Sequence, residues 1–237
     1  MQAIVFGASG GIGAELVSQL SNRTGIRRLH AVSRTGVTAS RKVVAHTADI
    51  TAETDLAHLA ADLKNEDDIR LVIIASGILS DGSALQPEKS YRQQTMQAFE
   101  RVFRVNTFGP ALVARYILPL MSRSGRAVFS ALSARVGSIG DNRLGGWHAY
   151  RASKAALNML LRNYAIEQAR RNPEFIVAGL HPGTVDTGLS KPFQNNVPDG
   201  RLFTPKVSAA HLLSVIDGLT PADSGKCFDW AGTEIPA

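Results

Sequence analysis

The sequence is poor in cysteine, in aromatic residues and in long apolar runs. Its one cysteine, Cys227, cannot form a disulfide within the chain. No window of 18 apolar residues occurs, and the greasiest stretch, 116–121, contains Pro119 and is flanked by Arg115 and Arg123, which excludes a membrane-spanning helix. Met1 leads straight into QAIVFGASGG without the basic and apolar segments of a secretory leader. Together with the lone thiol, this points to a cytoplasmic protein. Acidic charge is also in short supply: 26 Lys and Arg face 20 Asp and Glu, and residues 101–171 hold 12 basic residues against only Asp141 and Glu167. The basic residues never form a run, and the 6% of aromatic residues do not alternate with them, so the charge suggests steering of a small anion and not nucleic-acid binding.

At 44% hydrophobic over 237 residues, the chain can bury a full core and needs neither a disulfide nor a structural metal. Strand-length apolar runs at Ala3–Phe6, Leu29–Ser33, Val43–His46, Leu71–Ala75, Ala127–Leu132, Phe175–Leu180 and Lys226–Asp229 alternate with amphipathic segments. The predicted helices are Ile12–Leu20, Thr54–Leu63, a long one from Arg92 to Met121, Tyr150–Arg171 and Lys206–Leu219. This alternation predicts an α/β fold, a doubly wound sheet of about seven parallel strands with helices on both faces, in a single domain covering 1–237. The irregular stretch Pro182–Pro205, just after a strand, sits where open α/β sheets carry ligand loops.

GASGGIG, Gly7 to Gly13, follows the first strand and opens the first helix. Glycines there allow a tight turn and close approach of a pyrophosphate to the free N–H groups at the helix end, which is the Rossmann-type arrangement for a dinucleotide. The same letters spell G-x-S-x-G around Ser9, but a hydrolase elbow needs strands ahead of it that supply the oxyanion hole, and only six residues precede Gly7. Ser9 is therefore read as a phosphate contact. The second strand ends in Ser33-Arg34, where an Asp or Glu would accept a ribose 2′-hydroxyl; arginine suits a 2′-phosphate and favours NADP(H) over NAD(H), with Arg41 or Lys42 as helpers. Tyr150 and Lys154 lie one helical turn apart, and an ammonium beside a phenol lowers the phenol's pKa toward a useful range.

With Asp49-Ile-Thr after the third strand, Val105-Asn106 in the long helix and His181-Pro-Gly-Thr-Val-Asp-Thr187 after the sixth, the whole chain resembles the short-chain dehydrogenase/reductases. GSIGDNRLGGWHAYRASKAALNML with HPGTVDT further resembles their C-factor-like subgroup. The resemblance implies hydride transfer between the nicotinamide and a carbonyl or alcohol carbon, without a metal. It implies Tyr150 as proton donor and acceptor, Lys154 lowering its pKa and holding the ribose, Ser133 binding the substrate carbonyl, and Asn106 anchoring a relay water. The cofactor contacts expected are Gly7, Ser9, Gly11, Ile12, Gly13, Ser33, Arg34, Asp49, Ile50, Ser76, Gly77, Tyr150, Lys154, Pro182, Gly183, Val185 and Thr187. A homodimer or homotetramer built on segments 92–121 and 150–171 is also implied.

Three positions depart from the family pattern. Phe6 stands where a Thr is usual, Ile74-Ala75-Ser76-Gly77 replaces Asn-Asn-Ala-Gly, and counting back from Gly137 puts Ala134 at the serine position with Ser133 beside it. These departures leave open a non-catalytic dinucleotide-binding signalling or sensor protein. Substrate shape is expected from 191–203 and from Leu144, Trp147 and His148, with Trp147 and Phe193 suggesting an apolar pocket.

Overall fold

The computed structural model describes residues 1–82, 84–198 and 200–237, so Asp199, inside the expected substrate segment, lies outside the described residues. All five residues of the first strand, β1 (Gln2–Phe6), are buried. Ala3 and Val5 pack into one core while Ile4 and Phe6 pack into the other. Burial on both faces is why the strand reads as an unbroken apolar run.

The remaining elements follow as α1 (Gly11–Ser21), β2 (Arg28–Ser33), β3 (Val43–Thr47), α2 (Glu53–Asp62), β4 (Ile69–Ile74), α3 (Met96–Phe103), α4 (Gly109–Ile117), β5 (Ala127–Leu132), α5 (His148–Ala169), β6 (Phe175–His181), β7 (Thr184–Val185), β8 (Leu202–Phe203), α6 (Pro205–Gly218), β9 (Lys226–Asp229) and β10 (Glu234–Ile235). The main sheet runs β10-β9-β6-β5-β4-β1-β2-β3. Its seven expected strands are parallel, and the two-residue β10 adds an antiparallel edge. β7 and β8 pair separately. One core lies under α1 and α6, the other under α2, α4 and α5. No described helix is long and apolar enough to cross a membrane.

The expected continuous helix from Arg92 to Met121 is divided. Tyr91–Gln93 forms a single 3-10 turn, after which the Thr95 hydroxyl caps α3 by accepting the Ala98 N–H at 3.1 Å. Such side-chain acceptors compete with the helical ladder and reset its start. A π-helical turn at Arg104–Phe108 then joins α3 to α4, and a 3-10 turn at Leu118–Leu120, containing Pro119, ends the run. β1 lies between β2 and β4, so the chain winds to one side through β2 and β3 and to the other through β4 to β6. A crevice opens at the carboxyl ends of β1 and β4, where the winding reverses.

Candidate active site

The crevice is walled by the turn from β1 to α1. Gly7 has φ +76°, and a Cβ there would lie 2.8 Å from Ser76 N and Oγ. At Gly13 a Cβ would fall 2.0 Å from the Gly7 carbonyl oxygen, and at Gly11 one would reach 2.8 Å from Thr187 Cγ2. Three glycines are thus required, by the β4 end, by the turn itself and by the loop after β6. No side chain caps α1 and its first turn holds no acidic residue, leaving its positive end open to an anion. Phe6 is fully buried in the core below the turn and contributes packing where a hydroxyl was expected.

Two adjoining cavities meet at Gly10 and Ala75–Gly77. The smaller, about 390 Å³, is lined by Gly7, Ser9, Ser33, Arg34, Asp49, Ile50, Ser76 and Gly77, all expected from the sequence. Ser33 Oγ is buried there without a partner among the described residues. Thr35 donates to Ser9 Oγ at 3.0 Å, tying the glycine turn to the segment after β2. Asp49 folds one carboxylate oxygen back onto Thr51 N and Oγ1, at 2.8 and 2.9 Å. Ile50 packs its side chain against Gly109 in the core. Arg101, ion-paired with Asp81, also lines this cavity and carried no sequence signal. Lys42 does not assist Arg34: its ammonium donates to the Arg23 carbonyl at 3.0 Å, and neither Lys42 nor Arg41 lines the cavity. An uncapped helix end, glycines that exclude any Cβ, an orphaned buried hydroxyl and an exposed arginine suit a dinucleotide.

The larger cavity, about 650 Å³ and mostly apolar, gathers Gly11, Ile12, Gly13, Ser133, Tyr150, Lys154, Pro182, Gly183, Val185 and Thr187. Trp147 and Phe193 close one wall, their ring centres 5.2 Å apart, and Trp147 meets Tyr150 edge-on at 6.2 Å. Leu144, 90% exposed, and His148 lie off this cavity, contrary to expectation. His181 and Arg135 line it unforeseen. Burial and the nearby Arg135 charge push the His181 imidazole down to about 4, which keeps it neutral near pH 7.

Tyr150 and Lys154 are both buried. Lys154 Nζ donates to the Leu132 carbonyl at 2.7 Å and stands 5.8 Å from the Tyr150 ring centre. Burial pushes the phenol up to about 12 and the ammonium down to about 8. The expected lowering of the tyrosine by its lysine is therefore not found, because loss of hydration on burial sets the direction of both shifts.

Asn106 sits within the π turn, fully buried, and lines neither cavity. Its Oδ1 accepts the Ile78 N–H and its Nδ2 donates to the Ile78 carbonyl, each at 2.8 Å, with a further contact to Ser153 Oγ at 3.2 Å. The side chain thus pairs with backbone like a strand edge and braces the segment after β4. A Cβ on Gly77 would approach Asn106 Oδ1 to 3.5 Å and Lys154 Nζ to 3.8 Å, which places these groups around one point. Ser133 Oγ donates to Asn158 Oδ1 at 2.6 Å, whereas Ala134 shares an apolar cluster with Tyr150, Ala149, Leu79, Leu85 and Val102. The hydroxyl is engaged by α5, and an apolar residue occupies the tyrosine's cluster.

A family model for short chain dehydrogenases matches residues 1–198. The chain is 39% identical to the C-signal protein of Myxococcus xanthus over 136 residues, covering 57% of this chain and 76% of that one. It is 29% identical to an uncharacterised oxidoreductase of Schizosaccharomyces pombe, covering 98% of this chain and 96% of the other. Among solved structures, the NADPH-bound carbonyl reductase from chicken fatty liver superposes with a TM-score of 0.82 at 23% identity, over 100% of this chain and 98% of that one, a likeness of fold.

Proposed function

The chain belongs to the short chain dehydrogenase family, and on that premise we propose that it is an NADP(H)-dependent oxidoreductase acting on a carbonyl or alcohol carbon. The observation that carries this reading is a buried Tyr150–Lys154 pair lining an apolar cavity that adjoins the glycine turn. When bound, the nicotinamide would supply or accept the hydride. Gly7, Gly11 and Gly13 with the α1 end would hold the pyrophosphate, while Ser33 and Arg34 would hold a 2′-phosphate. Tyr150, held near 12 by burial, is protonated at neutral pH and donates its proton as charge develops on the substrate oxygen, which favours reduction. The Lys154 ammonium offsets the phenolate left behind. Trp147 and Phe193 exclude water from the reacting atoms. Exposed Met96, Phe108, Met159 and Ile166 on α3 to α5 and the turn joining α3 to α4 supply apolar surface for a homodimer or homotetramer, which light scattering tests.

The deciding experiment is Tyr150→Phe. Turnover of carbonyl compounds should fall roughly 10²-fold or more while NADPH affinity holds. The likeness to C-signal favours a second reading, a non-catalytic dinucleotide-binding signalling protein. On that reading no carbonyl compound is turned over and Tyr150→Phe changes nothing, although a burial-perturbed tyrosine–lysine pair is more use to an enzyme than to a sensor.

A further inference from the structure

Helix α5 carries both Tyr150 and Lys154, yet it begins without any cap of its own. Trp147, at its N-cap, is left-handed with φ 50° and ψ 44°, and Gly145 and Gly146 before it have φ 61° and 65°. The N-cap side chain makes no cap hydrogen bond, and the first turn holds no acidic residue. A bulky residue persists in that conformation only where its surroundings fix it. Glu88, from the segment after β4, does so. Its backbone carbonyl accepts the Trp147 N–H at 2.5 Å, and both carboxylate oxygens face the Ala149 N–H at 3.3 and 3.4 Å. Gly146 suits the turn through its φ of +65°, which residues with side chains rarely adopt, while a Cβ there would make only an ordinary contact of 3.4 Å with the Glu88 carbonyl oxygen.

Glu88 is 4% exposed and forms no ion pair among the described residues. A buried carboxylate without a cation is costly, and here the positive end of α5 compensates it. The next residue after Ala149 is Tyr150. Leu79 and Leu85, from the same segment as Glu88, pack into the cluster that buries that tyrosine. We propose that Glu88 is a positioning residue: capping α5 from a distant loop, it fixes Trp147 as a cavity wall and aims the Tyr150 phenol at the reacting oxygen. Its action on catalysis rests on the oxidoreductase reading, whereas its hold on Trp147 does not.

The test therefore has two readouts. In a Trp230→Phe background Trp147 is the sole tryptophan, so its emission reports on the cap without any substrate. Glu88→Ala keeps the backbone carbonyl on Trp147 but removes the carboxylate from the Ala149 N–H, so by loosening the first turn of α5 it should red-shift that emission and lower kcat for a carbonyl substrate about tenfold, with NADPH affinity within twofold. Glu88→Gln, which keeps an acceptor oxygen but loses the charge, should show the same changes at reduced size, with kcat about two- to fivefold down. Should Glu88→Ala fail to fold, Glu88→Gln decides alone: a shifted emission with kcat two- to fivefold down, about the size expected for a weakened hydrogen bond, supports the proposal. Wild-type emission and kcat in the folded variants would overturn it, and so would a fall in melting temperature with Trp147 unmoved. If the wild-type protein reduces no carbonyl compound, the oxidoreductase reading fails while the emission still decides what Glu88 holds.

Discussion

A methyl group at Gly13 tests why the turn after β1 is built from glycine. In Gly13→Ala the new Cβ would lie 2.0 Å from the Gly7 carbonyl oxygen, 2.8 Å from the Gly7 carbonyl carbon and 3.2 Å from Ala8 Cα. All three are backbone atoms, so no side chain can rotate away. Reaching an ordinary contact near 3.5 Å requires α1 to withdraw from the turn by about 1.5 Å. Alanine in a helix gains up to about 1 kcal/mol in propensity over glycine. Overpacking costs about 1–3 kcal/mol, and a backbone clash this close belongs at the upper end, so the clash wins. A chain of this size loses about 2–4 °C in Tm per kcal/mol, which predicts a fall of about 2–8 °C after the propensity gain is deducted. Cofactor binding should suffer more. Moving the α1 N–H groups by about 1.5 Å takes them out of hydrogen-bonding range of a phosphate. Two charge-assisted bonds lost at about 1.5–3 kcal/mol each weaken NADPH by at least a hundredfold. Calorimetry and fluorescence titration measure both quantities, with Gly25→Ala, whose Cβ meets nothing within 4 Å, as the control. Wild-type Tm and NADPH affinity in Gly13→Ala would refute the argument that this close approach shapes the phosphate cradle.

Three further outcomes are expected. Arg34→Ala should weaken NADPH about tenfold and leave NADH within twofold, since it removes one exposed charge partner of a 2′-phosphate; equal losses for both would contradict the assignment. Reduction should hold steady up to about pH 8 and fall above it as Lys154 loses its proton, and Lys154→Arg should shift that falling limb upward, which initial rates across pH 6–10 would reveal. His30 is buried and its imidazole is pushed from 6.5 down to about 4 by burial, so below pH 6.5 the unfolded chain takes up a proton that the folded one refuses. Stability is then whole above 6.5 and lost progressively down to about 4, by about 2 kcal/mol between pH 7 and 5; urea denaturation should show a smaller loss in His30→Gln.

The parts of this molecule that depend on order along the chain were legible in the sequence. Ala3–Phe6 reads as a strand because both its faces are buried, and GASGGIG reads as a phosphate turn because its glycines fall together between a strand and a helix, although only Gly13 answers to the turn itself while Gly7 and Gly11 answer to Ser76 and Thr187. The seven parallel strands and nearly every expected cavity residue follow from such local regularities. The short β10 and the split of segment 92–121 did not, because a two-residue strand has no period and Thr95 resets a helix that apolar spacing alone would run through.

Side-chain partnerships between distant segments were not legible either, and they set the chemistry. Asn106 carries the family's mark for a water relay, yet its side-chain amide pairs with both backbone groups of Ile78, 28 residues back in the chain. Counting back from Gly137 lands on Ala134 with Ser133 beside it, while the direction of the Ser133 hydroxyl is decided by Asn158, 25 residues on. The Tyr150–Lys154 spacing predicts that the ammonium lowers the phenol, but how far burial raises it depends on Leu79, Leu85 and Val102 closing over the tyrosine from elsewhere in the chain. Burial therefore reverses the expected direction, and the phenol stays protonated well above neutrality. It follows that opening the cluster, as in Leu85→Ala, should lower the Tyr150 pKa even though no charge changes. Ultraviolet difference titration of the phenol would detect the shift, and an unchanged titration would mean that burial by this cluster is not what holds the proton.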